Sequence, residues 1–224
     1  MRYFRATERK LTKIKKMNKK LKKICKLGLI IIATISLFNS CGVVTSIPYE
    51  PIQFDKNTSE NGIIFGSITF PNEKAKFNGY FIQISNTDPD KKIAQKNSTQ
   101  IRFVPQQIIK MKHDGQLENG RTYLFVLERK AGNYEIPFLR LFSNYGYSTR
   151  DTSINGFNLP FNLKKGEIKY LGNIQLDESL KSTIHPVQLT NNFKRDLEAI
   201  KNLQPSVNWN DAINDETIKI IYSK

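Results

Sequence analysis

Short runs in which apolar and polar residues alternate fill the chain between residues 62 and 176. Turn pairs that tolerate a positive φ, mostly Asn-Gly, separate these runs at residues 61–62, 78–79, 119–120 and 155–156. Alternation with period two is typical of a strand with one buried face. The pattern predicts seven strands, near residues 63–70, 79–85, 100–104, 122–128, 134–142, 157–163 and 168–176. Seven short strands at this spacing predict a mainly β fold, an antiparallel β-sandwich.

The same period predicts which side chains share a face. Tyr80, Ile82 and Ile84 are expected on the buried face of their strand. A second set is expected to share one face across Gly172, namely Ile168, Tyr170, Ile174 and Leu176. We see no repeat of fixed length along the chain.

The carboxy-terminal region has a helical period instead. Its apolar residues recur at i, i+4 and i+7, at Phe193, Leu197 and Ile200. Thr190 or Asn191 is expected to cap the helix start, and Pro205 ends the pattern. We predict one amphipathic helix packed on the sandwich within a C-terminal extension, residues 181–224, with a last edge strand at residues 217–222.

The amino-terminal segment differs from the rest in charge and hydropathy. The chain has 35 Lys and Arg against 20 Asp and Glu, a net charge of +15, and residues 1–40 contribute +11 of it. The apolar run 27–38 follows this basic block. A helix of that length would measure about 18 Å, short of the roughly 30 Å hydrocarbon core of a bilayer. A basic block before a short apolar run predicts a secretory signal peptide over residues 1–40.

Cys41 follows the apolar run and makes this prediction more specific. The segment LFNSC, residues 37–41, resembles a bacterial lipobox, with the usual leucine displaced by one place. The resemblance implies that the Cys41 thiol receives a diacylglyceryl group and that signal peptidase II cleaves between Ser40 and Cys41. Two or three acyl chains would then give a lasting membrane anchor. The alternatives are an unmodified cysteine after an uncleaved anchor helix, and a chance cysteine after an ordinary signal.

The first sixteen residues allow two interpretations. If translation starts at Met17 rather than Met1, the signal peptide has an ordinary length and residues 1–16 are a mis-assigned start. A basic cytoplasmic tail that binds anionic lipid is the alternative. In either case this segment takes no part in the fold.

Composition predicts how the rest of the chain is divided. Residues 41–61 contain prolines and a polar run without period, and we predict a lipid-anchored tether there. Residues 62–180 are assigned to the sandwich domain. Because Cys25 lies in the signal and Cys41 carries lipid, no cysteine remains for a disulfide or a cysteine-ligated metal, and we expect no cofactor.

Two stretches carry a resemblance at the level of the fold. They are LERKAGNYEIPF at residues 127–138 and FNLKKGEIKYLGNIQL at residues 161–176. Both resemble the strand-turn-strand phrases of prealbumin-like, carboxypeptidase-regulatory-like sandwiches, which are common among bacterial envelope lipoproteins. Gly132 and Gly166 take the turn positions, and the tyrosine that follows each is expected to point inward. The resemblance implies a prealbumin-like or Ig-like sandwich and carries no catalytic residue across.

Enzyme signatures are absent from the sequence. It contains no dinucleotide fingerprint, P-loop, zinc-protease motif, GxSxG or CxxC. His113, beside an Asp-Gly turn, and His185, before a proline, are the only histidines. Each has the chemistry of a base or a ligand, but we interpret both as surface residues in loops. Asp88 and Asp90 supply too few oxygens for a calcium site and are interpreted as a solvated turn.

An aromatic stretch at residues 138–150 raises a binding hypothesis. Its candidate residues, with Trp209, are Arg140, Tyr145, Tyr147 and Arg150. They are typical of a face for sugar or peptide, but also of core aromatic residues that run into a long loop. We favour the second interpretation.

These features predict a lipid-anchored cell-envelope protein that acts as a non-catalytic binding or structural accessory module. By the resemblance to bacterial lipoproteins, Gly42 rather than aspartate after the lipid cysteine implies the outer membrane, and the expected partners are the membrane and an envelope protein. An envelope hydrolase whose catalytic groups converge from distant loops is the first alternative. A protein that binds nucleic acid or anionic lipid is the second. We expect no nucleic-acid partner, since only +4 of the net charge remains after residue 40.

Overall fold

Two sheets built from twelve strands form the framework of the chain that the structure describes. The computed structural model describes residues 51–107, 111–179 and 185–223, all within one unit, Thr45–Lys224. The strands are β1 (Asn61–Thr69), β2 (Gly79–Asn86), β3 (Thr99–Phe103), β4 (Thr122–Lys130), β5 (Gly132–Ile136), β6 (Leu139–Asn144), β7 (Thr149–Ile154), β8 (Phe157–Leu163), β9 (Ile168–Leu176), β10 (Val187–Thr190), β11 (Ala212–Asn214) and β12 (Ile221–Tyr222). The helices are α1 (Lys91–Asn97), α2 (Phe193–Leu203) and a 3₁₀ turn (Trp209–Asp211).

Sheet 1 has the strand order β10-β9-β1-β4, with β11 also paired to β9. Its central pair, β1 and β9, is parallel and brings Ile63 opposite Ile168. β4 and β10 are antiparallel to their neighbours. Sheet 2 has the order β12-β8-β5-β2-β6-β7, and β3 is also paired to β2. The strand pairs of sheet 2 are antiparallel.

Two apolar clusters hold these layers together. The interior core lies between the sheets and takes Ile64 and Ile68 from sheet 1 and Ile82 and Leu141 from sheet 2. The helix-side core lies on the opposite face of sheet 1, where Phe65 packs beneath α2. Sheet 1 is therefore covered on both faces, which is why β1 has an almost continuous apolar sequence.

The predicted sandwich with a C-terminal helix is confirmed. Two largely antiparallel sheets face each other and α2 ends at Leu203, before Pro205. The predicted strands at residues 157–163 and 168–176 have those bounds in the structure. The described residues form twelve strands instead of about seven, because β7 and the short strands of the extension have little alternation, and because the predicted strand at residues 134–142 is divided at Pro137 into β5 and β6. Proline has no N–H to donate to a ladder.

A bulge at Gly172 corrects the prediction that four residues of β9 share one face. Phe65 pairs with Tyr170 but Ser67 pairs with Asn173, so β9 has one residue more than β1. An inserted residue reverses the alternation of side chains. Ile168 and Tyr170 accordingly lie in the helix-side core, whereas Ile174 and Leu176 lie in the interior core. Gly172 has φ +104°, a conformation that L side chains rarely adopt.

Residues 51–60, which composition assigned to the tether, belong to the folded body. Ile52 and Phe54 pack against the helix-side core. The backbone N–H of Ile52 donates to the Gln204 side chain at 2.9 Å, and its carbonyl accepts from Ser206 Oγ at 2.9 Å. Apolar side chains fixed by backbone hydrogen bonds do not behave as a free linker.

The C-terminal extension is part of both sheets rather than a separate appendage. β10 and β11 join sheet 1, and β12 joins sheet 2 at the end of the predicted tail strand. The cap residue of α2 is Asn192, not Thr190 or Asn191, although the Asn191 side chain accepts from the N–H of Phe193 at 3.1 Å. Among the described residues, no helix has the length and hydropathy to cross a membrane.

Candidate functional site

The helix-side face of sheet 1 changes from apolar to polar towards the carboxyl end of β1. Near the start of the strand, Ile63 and Phe65 are covered by α2 and the segment after it. Further along, the pairing of the strands places two polar rows on the same face. One row is Thr122, Thr69, Gln175 and Gln188, and the other includes Ser67, Asn173 and Thr190. The start of α2 reaches this boundary.

Hydrogen bonds connect the two rows to one another. Asn173 Nδ2 donates to Thr69 Oγ1 at 2.8 Å, and the hydroxyls of Thr69 and Thr122 lie 2.7 Å apart. Thr122 Oγ1 donates to Glu118 Oε2 at 3.1 Å, and Glu118 also forms an ion pair with Arg195. These side chains are held in place by their neighbours before any ligand is present.

Asp196 is the buried end of this network. Its side chain has no solvent exposure, and its Oδ2 accepts from Ser67 Oγ at 2.6 Å and from Tyr170 OH at 2.7 Å. Its Oδ1 accepts from Arg195 Nε at 2.8 Å. Burial raises the pKa of Tyr170, and the Asp196 carboxylate raises that pKa further. The carboxylate therefore fastens α2 to β1 and β9 through two hydroxyls, those of Ser67 and Tyr170.

A cleft opens over the polar rows, and we call it the β1-end cleft. Its volume is about 540 Å³. Its floor is formed by Thr69, Gln175 and Gln188, and its walls by Phe70, Pro71, Asn72, Glu118, Arg121, Leu176, Asp177, His185 and Pro186. Ligand sites for small molecules have volumes of roughly 300–1,000 Å³. The β1-end cleft has the size of such a site.

One buried atom beneath the cleft has no partner in the part of the chain that the structure describes. Asn173 has no solvent exposure, and its Oδ1 accepts no hydrogen bond there. Asn173 lies on the same strand face as Gln175 and opposite Thr190. An unsatisfied polar atom in a folded protein is uncommon and is often associated with function.

A second buried polar cluster lies at the same end of the molecule, in the interior core. Glu178 accepts from the Tyr80 hydroxyl and from the N–H of Lys76 at 2.9 Å, and its Oε2 lies 3.2 Å from His113 Nε2. The His113 ring stacks on Phe70, with centroids 3.9 Å apart. Because the side chains of His113 and Glu178 are both inaccessible to solvent, this cluster fixes loops rather than presenting a reactive surface.

This cluster corrects the interpretation of His113 as a surface residue. His113 is 2% exposed, and its Nδ1 lies 3.4 Å from the Tyr123 hydroxyl. His185 is half-buried in a connector, where it stacks on Tyr222 and lines the β1-end cleft. No short sequence pattern joins His113 to Glu178, which follows it by 65 residues.

The other candidates fall into three groups. Asp88 and Asp90 serve the backbone, since Asp90 caps α1 by accepting from Lys92 N at 2.8 Å and Asp88 accepts from Asp90 N at 2.8 Å. Trp209 belongs to the helix-side core, as the favoured interpretation predicts, and donates to the Gln204 carbonyl at 2.8 Å. Cys41 and Ser40 lie outside the described residues. Within the described ranges, no group of three or more His, Cys, Asp and Glu is arranged to hold a metal ion.

The aromatic stretch does not form the single face considered from the sequence. Tyr145 and Tyr147 are exposed at the tip of the β6–β7 hairpin, Tyr147 by 94%. Arg140 lies over the Phe81 ring at 4.9 Å on the outer face of sheet 2 and pairs with Asp151 at 2.7 Å. Arg150 lies opposite Ser143, so its alternation places it on the other face of the sheet. The two tyrosines are thus not core residues, which corrects the favoured interpretation.

Comparisons with known proteins give no family. No protein-family model matches the chain. No curated protein matches it either. A crystal structure of a leucine-rich repeat protein from Bacteroides thetaiotaomicron VPI-5482 is similar over 65% of this chain, with a TM-score of 0.30 and 12% sequence identity. This chain covers 16% of that protein. Similarity at this level carries no argument about fold or function.

The buried tyrosines of both clusters predict a loss of stability in alkaline solution. Burial raises the pKa of Tyr80 and Tyr123, as it does that of Tyr170. The unfolded chain releases these protons first, near the ordinary tyrosine pKa of about 10. The stabilisation is therefore complete below that pH and is lost as the pH rises above it.

We expect the free energy of unfolding, measured with urea, to fall increasingly steeply as the pH rises from about 10 to about 11.5. The variant Tyr170→Phe should fall less steeply, since one of the three protons is then missing. An unchanged free energy of unfolding over this range would contradict the prediction.

Proposed function

We propose that this protein is a lipid-anchored, non-catalytic binding module of a bacterial cell envelope, and that the β1-end cleft is its recognition site. The observation that carries the proposal is the fixed polar floor of the cleft. Thr69 is held by Asn173 and Thr122, while the neighbouring amides of Gln175 and Gln188 make no side-chain hydrogen bond within the described residues. The pairing of β9 with β10 fixes where the two glutamines lie, and their amides are available to hydrogen-bond a ligand.

The envelope hydrolase remains a second candidate because two carboxylates, Glu118 and Asp177, line the same cleft. Glycoside hydrolysis needs one carboxyl group whose pKa is raised so that it can donate a proton. Hydrogen bonds from the Ser179 N–H and hydroxyl lower the pKa of Asp177. Glu118 is paired with Arg195. These contacts favour binding over catalysis.

The lipid anchor has a direct test. Cells that produce the full chain are grown with labelled palmitate, and we expect the protein to carry the label. Cys41→Ala should abolish the labelling, because the resemblance to a lipobox makes the Cys41 thiol the acceptor. Cys25→Ala is the matched control and should keep the label, since Cys25 lies in the predicted signal peptide. Label retained by Cys41→Ala would refute the lipoprotein proposal.

A further inference from the structure

The exposed side-chain amides that line the β1-end cleft are neutral, and each can both donate and accept a hydrogen bond. Gln175 and Gln188 are exposed and lie directly opposite each other on β9 and β10, so their amides are neighbours. Asn72 adds a third exposed amide on the wall of the cleft. Each amide offers donors and an acceptor. Such a surface matches a ligand whose groups also both donate and accept.

The charged side chains at the cleft have partners within the protein. Glu118 pairs with Arg195. Arg121 donates from Nη1 to the Pro71 carbonyl at 3.1 Å and from Nε to the Glu118 carbonyl at 3.3 Å. Asp177, which lines the same cleft, has the opposite charge to Arg121. The described lining thus has no excess of positive charge, which a phosphate ligand would require. Its two carboxylates are engaged within the protein, Glu118 by Arg195 and Asp177 by the N–H and hydroxyl of Ser179.

The size and lining of the cleft fit a polar molecule with some apolar surface. Its volume of about 540 Å³ is sufficient for a ligand of several rings. Pro71 and Pro186 supply apolar wall surface beside the amide floor. A sugar ring offers hydroxyls that can hydrogen-bond the amides and C–H groups that can contact the prolines.

We propose that the β1-end cleft binds a neutral oligosaccharide through the side-chain amides of Gln175 and Gln188. This inference rests on the proposed function, since it gives that function's recognition site a ligand class. Asn173 is fully buried and is not part of the cleft lining, but its Nδ2 positions Thr69 from below. The hydroxyl of Thr69, fixed from both sides, completes the floor.

The test uses the full chain, purified from membranes in a detergent without a sugar headgroup. Isothermal titration calorimetry would measure binding of maltohexaose, cellohexaose, xylohexaose, mannohexaose and chitohexaose, and of an oligogalacturonate as the anionic probe. We expect at least one neutral probe to bind and the oligogalacturonate to bind more weakly. The double variant Gln175→Ala/Gln188→Ala should weaken the affinity at least tenfold. Gln100→Ala, an exposed glutamine of β3 in sheet 2, is the control and should bind like the native chain.

Three outcomes would overturn the inference. They are no binding of any neutral probe, stronger binding of the anionic probe, and binding that survives the double variant. Both glutamines are exposed, so the double variant should unfold at the same urea concentration as the native chain. The palmitate experiment separates the two proposals. If the chain carries the label but binds no neutral probe, the saccharide inference is rejected and the lipoprotein assignment stands.

Discussion

The variant Asp196→Ala should lose about 3–5 kcal/mol of its free energy of unfolding, the usual cost of breaking a buried charged contact. The Asp196 carboxylate accepts hydrogen bonds from Ser67, Tyr170 and Arg195, and it is inaccessible to solvent. Its removal leaves two buried hydroxyls without their acceptor. It also leaves Arg195 with Glu118 as its remaining carboxylate partner. We expect α2 to separate from sheet 1 at lower urea concentration than the rest of the domain unfolds.

Trp209 makes this separation measurable. It is the single tryptophan of the chain, and it packs edge-on against Phe65 beneath α2 with ring centroids 5.3 Å apart. Its fluorescence should shift to the red in Asp196→Ala as the helix-side core opens. Glu198→Ala, an exposed position on the same helix, is the control and should change the free energy by no more than about 0.5 kcal/mol. Equal stability of the two variants would show that the Asp196 network does not hold the helix.

The variant Glu178→Ala should have a comparable effect on the interior core. Glu178 bridges the sheets, since it contacts Tyr80 of β2 in sheet 2 and His113, whose ring is close to Tyr123 of β4 in sheet 1. Without the carboxylate, the Tyr80 hydroxyl and the His113 ring lose a buried partner. We expect a loss of about 3–5 kcal/mol in urea unfolding.

Glu73→Ala is the matched control for Glu178. Glu73 lies in the same loop region, where its carbonyl accepts from the His113 N–H, and its half-exposed side chain pairs with Lys112 at 3.2 Å. An exposed ion pair contributes about 1 kcal/mol at most. A loss for Glu178→Ala no larger than that for Glu73→Ala would mean that solvent replaces the missing contacts.

Most strands could be predicted because apolar and polar residues alternate along them in step with buried and exposed positions. Tyr80, Ile82 and Ile84 share the interior face as predicted, since β2 has no bulge there. β7 could not be predicted, because its residues are largely exposed on both faces of the strand and its apolar and polar residues therefore do not alternate. In β9, periodicity alone could not reveal that Gly172 reverses the faces, because the reversal depends on the partner strand.

The candidate site was harder to predict than the fold. The β1-end cleft joins residues of β1, β9 and β10 with the loop that carries Glu118, and only pairing across the sheet brings them together. Polar residues such as Thr69 and Gln175 look like ordinary solvent-facing strand positions in the sequence. Asp196 is the residue from which the sequence could have indicated the site. It is an acid in the first turn of an amphipathic helix, and it lies on the apolar side of that helix, three residues after Phe193. An acid on an apolar helix face indicates a buried partner.

Because β1 pairs with the distant strand β9, sheet 1 cannot form fully until β9 has been synthesised. Ile63 and Ile168 are neighbours in the sheet, although about a hundred residues separate them along the chain. Contacts between such distant segments form slowly, because a long loop must close first. During synthesis, β1 therefore emerges as an apolar segment whose central partner in the sheet does not yet exist. We infer that this interval is when the chain is most prone to aggregate and most dependent on chaperones.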